Sequence, residues 1–410
     1  LSQKLATFPI EEVRKQFPAL KRTYNEKPAI YMDGPGGSQV VHTSIEAIAR
    51  YMENGGANLH GAFPSSRETE NIIAEAKNII ADFLNVKSSE VAFGANMTTL
   101  AFSVSRSLGK KWGRGDEIVV TEMDHRANVD PWISMAEDRG MTVRWIKADP
   151  KAFTLCLDNL DEVINENTKL VAIGLASNAV GTINDAVRIS TRAKQTGALV
   201  AVDAVHAAPH IPIDREALGA DIIFCSAYKF FGPHIGIAAI KEETFADLEP
   251  YKLKPAPSYY PDKLETGTQN HEGIAGIKPA IEFFEQLGTG STRRERIVSG
   301  IKFIEEHENR LSTILRDELA KMDNVILYQP GSAVPKTPTI AFKVDGFHPE
   351  EVCQTLSEKH AIFIASGDFY ATTLANKTRV NETGGWIRAG LAPYNSEDEI
   401  IQFIDAIKQL

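Results

Sequence analysis

The feature that most constrains this chain is an alternation. Between residues 31 and 240, short, mainly apolar runs alternate with longer stretches that carry apolar residues at helical spacing. The runs fall at 91–93, 117–120, 142–146, 170–173, 198–202, 221–224 and 237–240. Each has the length of a strand, and a strand apolar at successive positions is buried on both faces. Segment 68–83 shows the complementary pattern: Ile72, Ile73, Ala76, Ile79, Ile80 and Phe83 recur three or four apart, which gathers them on one helix face. Strands of this kind separated by helices predict an α/β fold, with a mostly parallel seven-stranded sheet covered on both sides.

The pattern changes after residue 285. A long charged helix is expected at 292–322, followed by short strands near 338–342 and 362–364 and helices at 349–359 and 397–408. That is an α+β arrangement. The expected division is an N-terminal segment, 1–30, whose helix near 10–17 packs on the small domain, then a large domain, 31–285, and a small domain, 286–410. A chain of 410 residues can bury two such cores.

Composition excludes several classes. A net charge of -10 with no Lys/Arg block argues against a nucleic-acid surface. No apolar run is long enough to span a bilayer, and the first residues lack the basic-then-apolar order of a signal peptide. Three cysteines without paired spacing point to a reducing, cytoplasmic setting. Gly109-Lys110-Lys111 imitates the end of a phosphate loop, but Val104 stands where that loop needs its first glycine.

Two residues carry the chemistry. Asp203 follows the run 198–202, at the carboxyl end of a buried parallel strand, where such sheets place their ligands. Alone it reads more readily as a turn cap. About one strand-helix unit later the chain runs Ser226-Ala227-Tyr228-Lys229-Phe230-Phe231-Gly232-Pro233. A lone loop lysine is ordinarily solvated. This one is bracketed by aromatics and a Gly-Pro turn, which holds its amine inside a cleft, lowers its pKa and makes it a nucleophile toward an aldehyde. A lysine of that kind and an acid at one sheet edge are what pyridoxal 5'-phosphate (PLP) requires: a Schiff-base partner and a carboxylate to keep the pyridine nitrogen protonated.

The stretch from Val202 to Gly236 resembles class V aminotransferases, and within them the cysteine desulfurase and selenocysteine lyase branch. Similar landmarks follow in family order over nearly the whole chain: Asp124-His125-Arg126-Ala127-Asn128, Ser177-Asn178-Ala179-Val180-Gly181-Thr182, Glu265-Thr266-Gly267-Thr268-Gln269-Asn270 and Arg388-Ala389-Gly390-Leu391. The resemblance implies a PLP-dependent transferase of fold type I. It implies that His125 stacks on the cofactor ring and that Asn178 bonds the ring hydroxyl. Ser226, Tyr228, Thr98 and the amides near Met97 would hold the phosphate, the last two at a helix N-terminus that favours anions. Tyr228 stands where the family usually has His. Thr268 would reach the phosphate from the second subunit of a homodimer, and His60 would approach the neighbouring site. Arg388 would clamp the carboxylate of a small amino-acid substrate.

The match fails in two places. Cysteine desulfurases need a nucleophilic cysteine on a small-domain loop, and here that loop reads Ala365-Ser366-Gly367-Asp368-Phe369-Tyr370-Ala371-Thr372, with Tyr370 at or near the cysteine's place. Cys225 in a strand, Cys353 in a helix and Cys156 in a connection read as structural thiols. His206 stands where the family has Gln beside the ring hydroxyl, and serves there as a hydrogen-bonding group, an acid/base or a spacer. His206 and His210 have a metal-like spacing, but no third ligand completes a set, so no metal is expected. The resulting expectation is PLP chemistry at an amino-acid α-carbon, C–S lyase or aminotransferase in kind, without a persulfide. The alternatives are an epimerase, a true cysteine desulfurase, or a non-catalytic binding protein that kept the fold.

Overall fold

In a computed structural model, which describes residues 7–410, the seven apolar runs become the strands of one sheet. They are β1 (Val91–Gly94), β2 (Glu117–Thr121), β3 (Thr142–Ile146), β4 (Thr168–Gly174), β5 (Leu199–Asp203), β6 (Ile222–Ser226) and β7 (Gly236–Ile240). Their spatial order is β1-β7-β6-β5-β4-β2-β3. The pairs from β6 across to β3 are parallel, while β7 runs antiparallel to both of its neighbours. Alternation along the strands feeds two cores. Val119, Val171, Val200, Ile223 and Ile237 face one side with Ile73, Ile79 and Phe83 of helix Pro64–Leu84. Ile118, Val120, Leu170, Ala201 and Phe224 face the other, with Leu100 and Val104 of helix Met97–Gly109. The strand that carried polar residues, β3, is one of the two edge strands, and Arg144 there pairs with Glu117 of β2.

A second, four-stranded antiparallel sheet follows: β8 (Val325–Tyr328), β9 (Thr339–Val344), β10 (Ala365–Gly367) and β11 (Trp386–Gly390), in the order β8-β9-β11-β10. The helix expected at 292–322 spans Arg293–Leu319, opened by a capping box in which Thr292 and Glu295 satisfy each other's backbone N–H groups. Its Ile297, Ile301 and Ile304 enter the first core, whereas Leu311, Leu315 and Leu319 enter the core beneath the second sheet.

One expected strand is divided. Ile362–Phe363 pairs not with the four-stranded sheet but in parallel with Ile30–Tyr31, and the sheet takes 365–367 instead. The helix Ile10–Lys15 touches both halves of the chain: Arg14 pairs with Glu399, and Phe17, just beyond it, packs on Phe231 and Phe283. Among the described residues no helix is long and apolar enough to cross a membrane.

Candidate active site

The carboxyl ends of β4, β5 and β6 open at one edge of the large sheet, and the second sheet presents β10 and β11 across from them. Between them lies a cavity of about 430 Å³. Ten of the residues singled out in the sequence line it: Met97, Thr98, His125, Asn178, Asp203, His206, Ser226, Tyr228, Lys229 and Arg388, and Tyr370 makes an eleventh.

Asp203 ends β5 and accepts a hydrogen bond from the Val205 N–H at 2.9 Å. Burial pushes its carboxyl up to about 6, against the pull of that amide and of Lys229. Lys229 closes a single 3-10 turn directly after β6. Its Nζ donates to the Pro35 carbonyl and lies 4.7 Å from the centre of the Tyr228 ring. Burial, and then the Arg388 charge, bring the amine down to about 7, while Asp33 and Asp203 oppose the shift. His125 accepts from the Ala127 N–H through Nδ1 at 3.0 Å. Burial first, then Lys229 and Arg388, hold it down to about 4, so its ring is neutral. Behind it Asp124 takes bonds from Thr121, Asn128 and the Gly174 amide, and burial raises its carboxyl to about 7.

At the head of helix Met97–Gly109, Asn96 caps the Thr99 N–H. The Met97 N–H donates to Ser226 Oγ at 3.2 Å, so that amide is already partnered and the hydroxyl proton of Ser226 is what remains to offer. Tyr228 is stacked on His234, ring centres 4.8 Å apart.

The opposite wall is built from distant segments. Arg388 on β11 donates from Nη1 to the Asn178 carbonyl at 3.0 Å and from Nη2 to Asp33 Oδ1 at 2.8 Å. Its guanidinium lies 3.7 Å over the Phe369 ring, and its buried Nε has no partner. Asn178 gives its Nδ2 hydrogens to the Phe369 carbonyl at 2.8 Å, which leaves Oδ1 buried and unpaired. Phe369 and Tyr370 both hold left-handed backbone, φ 53° and 57°, which costs an L-residue on the order of 1 kcal/mol each. The Arg126 N–H donates to the Tyr370 carbonyl, and the Tyr370 N–H to Asp368, which pins the turn in place.

Some expected residues stand elsewhere or face otherwise. His206 lines the cavity, but its Nε2 sits 3.0 Å from the hydroxyls of both Thr337 and Thr339, toward the second sheet. His210 pairs with Glu308 at 2.8 Å, and its ring meets that of His206 edge to face, centres 5.5 Å apart. His60 is exposed, 3.3 Å from Glu70, and does not reach this chain's cavity. Thr268 is exposed and borders a different depression. Sequence reasoning missed Asp33, Pro35 and Phe369. The only signal for the first two was the turn cluster Asp33-Gly34-Pro35-Gly36-Gly37, which by itself predicts a bend.

Comparison with known proteins identifies the family. The aminotransferase class-V family matches residues 30–403. A cysteine desulfurase of Enterobacter sp. (strain 638) is 30% identical, covering 98% of both chains. A probable cysteine desulfurase of Streptomyces coelicolor is 31% identical over 98% of this chain and 96% of its own. An aminotransferase-like protein of Gibberella zeae is 30% identical over 99% of each. Among solved structures, the apo cysteine desulfurase of Thermococcus onnurineus NA1 superposes over the full length of both chains with a TM-score of 0.87 at 28% identity. The chain therefore belongs to the aminotransferase class-V family and is an enzyme of its PLP-dependent, cysteine-desulfurase-like kind.

Proposed function

We propose that the cavity binds PLP and that the enzyme acts at the α-carbon of a small amino acid, by C–S cleavage or transamination, without a persulfide-forming cysteine. The observation that carries this reading is the pairing of Lys229 with Asp203: two buried groups of opposite charge at one cavity, one brought down to about 7 and the other up to about 6. Structural ion pairs would be bonded to each other. These are not: Lys229 rests on a carbonyl and Asp203 on an amide, so both face the open space.

The residues present fit the cofactor. The buried, unpaired Asn178 Oδ1 is an acceptor awaiting a donor, which the ring hydroxyl would provide, with His206 nearby. The neutral His125 ring would lie against the pyridine face. Asp203 would meet the ring nitrogen, and Ser226, Tyr228 and Thr98 would take the phosphate. Thr268 and His60 belong in this reading to the site of a second copy, which makes the active form a homodimer. Bound there, the cofactor supplies an electron sink that stabilises negative charge at the α-carbon of an attached amine. Asp203 holds the proton that makes the ring electron-poor. Lys229, with a pKa near neutrality, takes a proton from the α-carbon or returns one. Arg388 orients the substrate through its carboxylate.

The cysteines support the omission of a persulfide. None of the three lines the cavity, and burial pushes the Cys225 and Cys353 thiols up, the latter to about 11. The protein incubated with PLP should turn yellow, lose the colour on borohydride treatment, and stay colourless as Lys229→Ala; a wild type that takes up no PLP defeats the cofactor reading. Assays for sulfide, alanine, keto acid and racemised substrate across small amino acids then identify the reaction. Sulfide released with alanine, and abolished by replacing any one cysteine, would overturn the persulfide-free mechanism.

A further inference from the structure

Arg388 is buried, and of its bonds only the one to Asp33 neutralises its charge. The carboxylate of Asp33 thus holds the Nη2 that the substrate carboxylate proposed above would need. Asp33 itself is partly open, with 37% of its side chain exposed, and it lies close enough to Lys229 to raise that amine's affinity for protons. The geometry around it is built for this placement. The Gly36 and Gly37 amides bond the Asp33 carbonyl, and any side chain at position 36 would overlap the Asp33 carboxylate.

Charge balance then selects the ligand. Asp33 and Arg388 form a neutral pair in which the guanidinium is withdrawn from water and the carboxylate partly so. A simple carboxylate that displaced Asp33 would leave two negative charges facing one full cation, since Lys229, brought down to about 7, is only partly protonated, and low dielectric magnifies that cost. A zwitterion brings its own ammonium, so the displaced Asp33 regains a partner as Arg388 exchanges one carboxylate for another.

We propose that Asp33 is a specificity-determining residue: it holds the Arg388 fork until a ligand carrying both a carboxylate and an ammonium exchanges with it, and so favours amino acids over simple carboxylates. The inference rests on the amino-acid substrate proposed above. It also gives the enzyme a means of releasing a keto-acid product, which has lost the ammonium that Asp33 requires.

The test measures binding of propionate and of L-alanine to the cofactor-free protein by ligand-observed NMR, where neither probe can react. The wild type should prefer alanine. In Asp33→Asn the propionate affinity should rise by about tenfold or more relative to alanine, and Asp33→Glu should restore the wild-type preference. Gly36→Ala, which pushes the carboxylate off the guanidinium, should shift the preference in the same direction and covers the case in which Asp33→Asn fails to fold. An Asp33→Asn protein that weakens both ligands equally, or binds no propionate, overturns the proposal. PLP uptake by the same preparations is read separately from the cofactor's absorbance. A protein that takes up no PLP but switches preference keeps the Asp33 role and loses the cofactor reading.

Discussion

The two walls of the cavity are made by different means. On the large-sheet side, Asp203 ends and Lys229 closely follows adjacent, almost wholly buried parallel strands, and His125 follows β2 in the same layer. Backbone ladders fix these positions. On the other side Arg388 stands on β11, but Asp33 and the turn Phe369-Tyr370 come from loops, and polar contacts hold the set together: Arg388 to Asp33 within the wall, and Asn178 to Phe369, Arg126 to Tyr370 and Lys377 to Glu122 across the cleft. The difference teaches a division of labour. The ladder-built wall sets ionisation, because burial there cannot relax. The contact-built wall sets selection, because each of its bonds can be exchanged for one to a ligand.

Asp203→Asn tests the first wall hardest. It should cut turnover by roughly a hundredfold or more, since an amide cannot hold the ring proton. The same change should stabilise the fold above pH 6. A carboxyl near 6 in the folded state and near 3.9 unfolded keeps its proton better when folded, so stability falls as pH rises from about 4 to 6 and the penalty, on the order of 2–3 kcal/mol, persists above. Melting curves at pH 5 and pH 8 check the sign: the variant should gain at both, about half as much at pH 5 as at pH 8.

Arg388→Gln couples the walls. Substrate KM should rise by about a hundredfold. Because the Arg388 charge helps depress Lys229, the amine should also titrate higher than about 7 in the variant. The pH dependence of Lys229 reductive methylation in the cofactor-free protein measures this. An unmoved profile would mean that burial alone sets the lysine.

Phe369→Ala should be milder. It removes the ring stacked on Arg388, worth about 1 kcal/mol, and should raise KM several-fold with little change in kcat. Tyr370→Gly is the smallest. Glycine adopts φ 57° without strain and the phenol is two-thirds exposed, so unfolding should become harder by up to about 1 kcal/mol, read from denaturant midpoints. A loss of stability instead would show that the contact with His125, ring centres 5.3 Å apart, outweighs the backbone strain.

The same division explains what the sequence discloses. Asp203 and Lys229 are legible because a strand end is a local feature, and so are the seven strands, whose apolar runs leave no other placement. The partners of Arg388 are not. Asp33 stands 355 positions earlier, in a cluster that announces only a bend, and Phe369 looks like any loop aromatic. His206 shows the limit from the other side. The resemblance implies a place beside the ring hydroxyl, and the side chain does line the cavity, but nothing local announces that its Nε2 meets Thr337 and Thr339, 131 and 133 positions away. The short strand 362–363 was visible as a strand, but its pairing with Ile30–Tyr31 depends on which edge is free in the folded chain.

The helix Arg293–Leu319 has a consequence for how the molecule comes apart. One unbroken rod supplies side chains to both cores, and helical hydrogen bonding is cooperative along its length. Melting the core under the second sheet would strip Leu311, Leu315 and Leu319 of their contacts and fray the rod toward Ile304. The two halves therefore lack independent thermodynamics and should unfold in a single calorimetric transition, so a chain cut within this helix would leave neither half with a complete interior.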